Sequence, residues 1–176
     1  MWYWWKTQQH IYITVDPTLP DTNNKVLTLT PVSRDYGLVI EKLGINEAVR
    51  ADVDPFTPRV YLPILEKFGV AQAAQTAEPG QVGVTYLFGH STVNAWEIGR
   101  YHAPFTLLRK LDLGDRIIVY YAGKRFNYTV YEQKVVAPSD VSILKKQVAE
   151  PTLVVQTCDP PGENSKRLLV MARLQP

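Results

Sequence analysis

From Tyr36 to the carboxyl terminus the chain repeats one pattern, a short apolar run followed by turn residues. The runs are "YGLVIEKLGINEAVRADV", "VAQAAQ", "VGVTYLFG", "DRIIVYYAGKRFNYTVYEQKVV", "TLVVQTC" and "RLLVMARL". Recurring strand-length runs of this kind predict a mainly β protein, a barrel or sandwich rather than parallel α/β layers. The clearest hairpin runs from Arg116 to Val136, with Ala122, Gly123 and Lys124 as its turn. In its second strand Phe126, Tyr128 and Val130 alternate with Asn127, Thr129 and Tyr131, so one of the two faces belongs to the core. Three stretches carry a helical pattern instead. They are Tyr61 to Phe68, which Pro63 limits to a turn or two, Pro104 to Leu111, and Ser139 to Lys146. In the second, Pro104 suits a first helical turn and Phe105, Leu108 and Leu111 share a face. In the third, Ser139 is the expected cap and Asp140 suits the positive end of the helix dipole.

The first 35 residues break the pattern. Between Val15 and Arg34 the chain is rich in Pro, Asp, Asn and Thr, so residues 1–35 are expected to form an arm or linker and residues 36–176 the ordered domain. The opening "MWYWWKTQQHIYITV" has four aromatics in its first five residues, which suits the edge of a membrane-interface belt as well as an extended arm laid over the domain. No run of 18 apolar residues and no basic segment with an apolar signal core are present, so the chain as written is expected to be soluble. With 19 basic and 17 acidic residues the net charge is only +2, and no basic run interleaves with aromatics, so nucleic acid is not an expected partner.

A single cysteine in 176 residues rules out an internal disulfide and leaves either an inert buried thiol or a reactive one. Alternation from Thr152 puts Val154, Gln156 and Cys158 on one face and Leu153, Val155 and Thr157 on the other, with Cys158 at the end of the strand. Pro160, Pro161 and Gly162 then force a reversal, and Arg167 opens the next strand. If the two strands pair, Cys158 and Arg167 stand opposite each other across the ladder. A fixed positive charge there would favour a thiolate and could hold an oxyanion. Alone, a cysteine in a β protein is ordinarily a small hydrophobe and an arginine at a strand start a solvated charge.

A thiol nucleophile needs a proton carrier, and three histidines are available. His10 lies in the arm, and His102 lies in "GRYHAPF", where a solvated or capping role is expected. His90 closes "VGVTYLFGH" on the face of Val84, Tyr86 and Phe88, with Gly89 before it allowing close backbone approach. Metal binding is not expected, because one Cys and three scattered His lack zinc spacing and no calcium-loop pattern occurs.

These three positions, in their segments, resemble the sortases, the cysteine transpeptidases of bacterial surfaces. The matching segments are "YGLVIEKLGI", "VTYLFGHST", "YHAPFTLLRKLDLGDRIIVYY", "YTVYEQKVVAPSDVSIL" and "LVVQTCDPPGENSKRLLVMA", covering roughly Tyr36 to the end. The Thr-Cys strand end followed by a short Pro-Pro-Gly loop and Arg is characteristic of the family's short-loop classes. The resemblance implies a closed eight-stranded β-barrel with a few short helices, the site at one rim, and no cofactor. It implies Cys158 as nucleophile, His90 as general acid/base, Arg167 as oxyanion or substrate donor, and Thr157 as a residue lining the substrate groove. The implied partners are LPXTG-like sorting signals, cut between Thr and Gly through a thioester, and an amine acceptor such as a cell-wall peptide or a pilin lysine. The implied location is the bacterial cell surface, with a membrane anchor in the full-length protein. The segment from Ala137 to Pro151 has no acidic cluster of the kind a calcium-dependent member would use. The alternative from another class is a non-catalytic peptide-binding barrel with Cys158 buried. The L,D-transpeptidases fit poorly, because their cysteine follows a Ser-His-Gly element that "VVQTC" lacks.

Overall fold

The structure is a computed structural model and describes residues 13–14, 28–92 and 102–176. Two short strands, β1 (Ile13–Thr14) and β2 (Thr28–Leu29), pair with each other apart from the main sheet. The Trp-rich opening and His10 lie outside the described residues. The main sheet contains β3 (Tyr36–Ile40), β4 (Ile45–Val53), β5 (Val70–Ala73), β6 (Gly83–Gly89), β7 (Arg116–Tyr121), β8 (Lys124–Val136), β9 (Pro151–Asp159) and β10 (Lys166–Leu174). They close as a barrel of eight in the order β10-β8-β7-β3-β4-β5-β6-β9, as the resemblance implies.

Local chemistry explains most of the pairing. The expected hairpin of β7 and β8 forms, but Lys124 pairs with Tyr121, which leaves a turn of Ala122 and Gly123 alone. Both turn residues have positive φ, 48° and 76°, the left-handed geometry that two-residue hairpins require. Two neighbouring pairs are parallel and need crossovers. Between β4 and β5 the crossover is α1 (Pro58–Phe68), and between β6 and β9 it is the whole β7–β8 hairpin with its flanks. The helix α1 is longer than Pro63 had suggested. Proline removes one i to i−4 bond, here to the carbonyl of exposed Arg59 in the first turn, and the helix continues past it.

The other two helical stretches are 3-10 turns. Pro104–Lys110 buries Phe105 and Leu108, and Leu111, which caps its end, is buried too, but a spacing of three is the period of a 3-10 helix rather than an α-helix. The stretch from Ser139 shrinks to Ser142–Lys145. Ser139 does not cap it. The N-cap position is Val141, and Asp140 just before it forms an Asx turn, its Oδ1 accepting from the Ser142 amide at 3.1 Å and from the Ser142 hydroxyl at 2.6 Å.

Strand alternation builds two apolar layers. Leu38, Ile40, Leu87, Tyr128, Val130, Leu153, Val155, Leu168 and Val170 fill the barrel interior with Phe105 and Leu108. Residues of the other parity on β6, β9 and β10, among them Tyr86, Phe88, Val154, Leu169 and Met171, face outward under α1 and the 3-10 turn at 142–145. A barrel strand usually meets solvent on its outer face. Here that face is partly roofed, and the roof leaves a cleft.

Candidate active site

The cleft has a volume of about 370 Å³, and its wall residues include His90, Ser91, Cys158, Asn164 and Arg167. Register places three of them. On β10 Arg167 is the direct antiparallel partner of Cys158, the relation expected from the turn between them. On the other side of β9, β6 runs parallel with Phe88 opposite Gln156. His90 and Cys158 each lie two residues further on, so parity puts them level on the same outward face. Cys158 therefore sits between a histidine strand end and an arginine strand start.

Close approach of the backbone at His90 depends on Gly89. A methyl group there would lie 2.7 Å from the Gly69 carbonyl oxygen and 2.9 Å from the Phe105 ring, so only glycine fits. The Phe105 amide donates to the His90 carbonyl at 3.1 Å, anchoring this segment to the 3-10 turn. Around the thiol, Cys158 Sγ lies 3.9 Å from Asn164 Oδ1, the distance of a sulfur hydrogen bond. Arg167 Nη1 donates to the carbonyls of Asn164 at 3.4 Å and Lys166 at 3.0 Å. Asn164 thus touches both the sulfur and the guanidinium. Just past the cysteine, buried Asp159 is paired by the Arg109 guanidinium from the 3-10 turn.

Burial is the main influence on His90 and holds its pKa below the ordinary histidine value, while the nearby Glu66 carboxylate opposes it. The ring is therefore neutral at neutral pH and able to accept a proton. His102 behaves oppositely. It is neither simply solvated nor a cap, since its Nε2 lies 3.0 Å from Glu47 Oε1, and that hydrogen bond raises its pKa.

Thr157 does not line the cleft, in contrast to the groove position the resemblance implied. Its side chain has the parity of Leu153 and Val155, is 2% exposed, and donates its hydroxyl to the Gly89 carbonyl at 3.0 Å. Ser91 and Asn164 were not legible as site residues. The first is only the neighbour of His90, and the second is one polar residue among several in a turn. Among the described residues no group of three or more His, Cys, Asp or Glu is placed to hold a metal ion.

A closed β-barrel with a half-exposed cysteine on its outward face near the end of β9, flanked by a histidine just past β6 and an arginine at the start of β10, has the architecture of a cysteine acyl-transfer enzyme. The profile of the sortase domain matches residues 38–175. The chain belongs to the sortase family and is a cysteine transpeptidase of the kind found in the bacterial cell envelope. Solved structures agree on the fold. Sortase C-1 from Actinomyces oris is 24% identical with a TM-score of 0.67, over 82% of this chain and 76% of that one. A sortase D5 transpeptidase from Clostridium perfringens is 24% identical with a TM-score of 0.64, over 81% and 79%. A pilus-related sortase C of Group B Streptococcus is 25% identical with a TM-score of 0.66, over 82% and 69%. No curated protein sequence matches the chain.

Proposed function

We propose that this sortase cleaves an LPXTG-like signal between Thr and Gly and passes the acyl group to an amine, anchoring surface proteins or joining pilin subunits, with Cys158, His90 and Arg167 as its catalytic residues. The observation that carries the assignment is the register that puts Cys158 between Arg167 and the end of the His90 strand. Residues 36–176 would be the catalytic domain and 1–35 an N-terminal arm or linker. Among the described residues no helix is long and apolar enough to cross a membrane.

The chemistry follows from the states of the groups. Neutral His90 takes the Cys158 proton, and the thiolate attacks the threonine carbonyl carbon, forming a C–S bond and an oxyanion. Arg167 swings from the Asn164 and Lys166 carbonyls to donate to that oxyanion. As it collapses, the C–N bond breaks and His90 returns the proton to the departing glycine amine, leaving a thioester. The incoming amine attacks the thioester carbon, His90 accepts its proton, and C–S cleavage restores the thiolate. The acceptor is a cell-wall peptide amine or a pilin lysine, and no step calls on a cofactor.

The test is a quenched LPXTG-type peptide panel with an added amine, followed by mass spectrometry of the protein. A mass increase on Cys158 equal to the acyl fragment is expected, together with loss of cleavage in Cys158→Ala. Unchanged cleavage in Cys158→Ala would overturn the assignment. The non-catalytic reading requires a sealed thiol, whereas Cys158 opens to the cleft.

A further inference from the structure

We propose that Ser91 is a positioning residue of the transpeptidation reaction, one half of a reciprocal hydroxyl clamp that sets the distance between His90 and Cys158. This rests on the assignment of those two residues as the reacting pair. The β6–β9 ladder carries its last register pair at Phe88 and Gln156, before either reacting residue is reached. Beyond it the strand ends are joined by side chains. The Ser91 hydroxyl donates to the Cys158 carbonyl at 3.0 Å, and the Thr157 hydroxyl donates to the Gly89 carbonyl at 3.0 Å.

The arrangement is reciprocal. The residue after the histidine binds the carbonyl of the cysteine, and the residue before the cysteine binds the carbonyl preceding the histidine. Each hydroxyl crosses from one strand to the other on either side of the reacting pair, so together they restrain both sliding and separation of the two strand ends. Without them the seam between the two parallel strand ends, past its ladder, would have no direct restraint, each end being held only by its other neighbour, β5 for β6 and β10 for β9. Proton transfer between His90 and Cys158 needs hydrogen-bond reach, and a displacement of about 1 Å is enough to lower turnover by up to about 100-fold. The Thr92 amide, bonded to Thr106 Oγ1 at 3.2 Å, and the Phe105 amide on the His90 carbonyl hold the far side of the same segment. The clamp is what faces the cysteine. Ser91 is half-buried on the cleft wall, so its hydroxyl already has a partner and needs none from the substrate.

The test compares Ser91→Ala and Ser91→Thr with the unaltered chain, measuring kcat and KM on a cleaved sorting peptide and the melting temperature of each. A clamp predicts that Ser91→Ala lowers kcat about tenfold or more with KM within about twofold and the melting temperature nearly unchanged. Ser91→Thr, which keeps a hydroxyl on the same carbon, restores most of the lost kcat. An Ser91→Ala enzyme with kcat within about twofold of the original overturns the proposal. So does a rise in KM at constant kcat, which would make Ser91 a substrate contact. A loss of kcat matched by a lowered melting temperature and not recovered by Ser91→Thr also overturns it, as a merely structural effect. Failure of the underlying assignment is separable, because His90→Ala would then retain turnover whatever Ser91→Ala does.

Discussion

Arg167 is legible from sequence for a simple reason: a reversal built on Pro160, Pro161 and Gly162 leaves few ways to pair the strands it joins, and the observed register puts it opposite Cys158. Its guanidinium rests on two backbone carbonyls and, among the described residues, forms no ion pair with a carboxylate. Removing the side chain is therefore expected to act on the developing oxyanion. Arg167→Ala should lower kcat by about 100- to 1,000-fold, the usual effect of losing one oxyanion donor, and steady-state kinetics on a cleaved peptide measure it. Arg167→Lys keeps the charge but loses the planar fork, so recovery is expected to be partial. Thr157 shows the opposite outcome. Simple alternation already placed it with Leu153 and Val155, away from Cys158, and the groove position came from the resemblance alone. The structure follows the alternation.

At the scale of elements, the strands were legible because a period of two leaves clear parity, and the helices less so. The interval of three among Phe105, Leu108 and Leu111 carries the signature of a 3-10 turn, which a search for α-helical faces overlooks. Ser139 has the right chemistry for a cap, but Asp140 sits at the distance from the Ser142 amide that closes the turn. The ion pair of His102 with Glu47 had no sequence signal. The His102 ring lies against Gly69, the residue that ends α1, where a methyl group would come within 2.8 Å of its Nε2. It thus joins β4, the end of α1 and the start of the 104–110 turn. Because Glu47 raises the pKa of His102, its stabilisation is full below the ordinary value of about 6.5 and is lost as pH rises through the folded value. His102→Gln should therefore lower the melting temperature more at pH 5.5 than at pH 8.5, read by thermal scans of both proteins. A uniform deficit across pH would mean that packing on Gly69 matters and the charge pair does not. The burial of His90 gives the opposite trend, with stability lost as pH falls below its unfolded value, but it is shared by both proteins and cancels in the comparison.

For the whole molecule, closure is the consequence with the widest reach. Every barrel strand has a neighbour on both sides, so the sheet has no unpaired edge to fray. Amides of β6, β9 and β10, whose residues line both apolar layers, should then exchange with solvent only through global unfolding. Native-state hydrogen exchange tests this. Sub-global opening of β9 at a free energy well below that of global unfolding would contradict it, and would also detach Cys158 from its neighbours.

What the sequence determined by itself was local: strand-length runs, the β7–β8 hairpin, the turn after Cys158, and through that turn the pairing of Cys158 with Arg167. Each depends on residues close together in the chain, where side-chain period and turn chemistry leave few alternatives. What only the tertiary structure decided was the parallel seam between β6 and β9, which joins Gly83–Phe88 to Pro151–Gln156 across the length of the intervening hairpin. No local rule specifies which distant strand closes a barrel, because that choice is made by the summed burial of both faces. On that seam depend the level placement of His90 and Cys158, the hydroxyl clamp of Ser91 and Thr157, and the roofed outer face that makes the cleft.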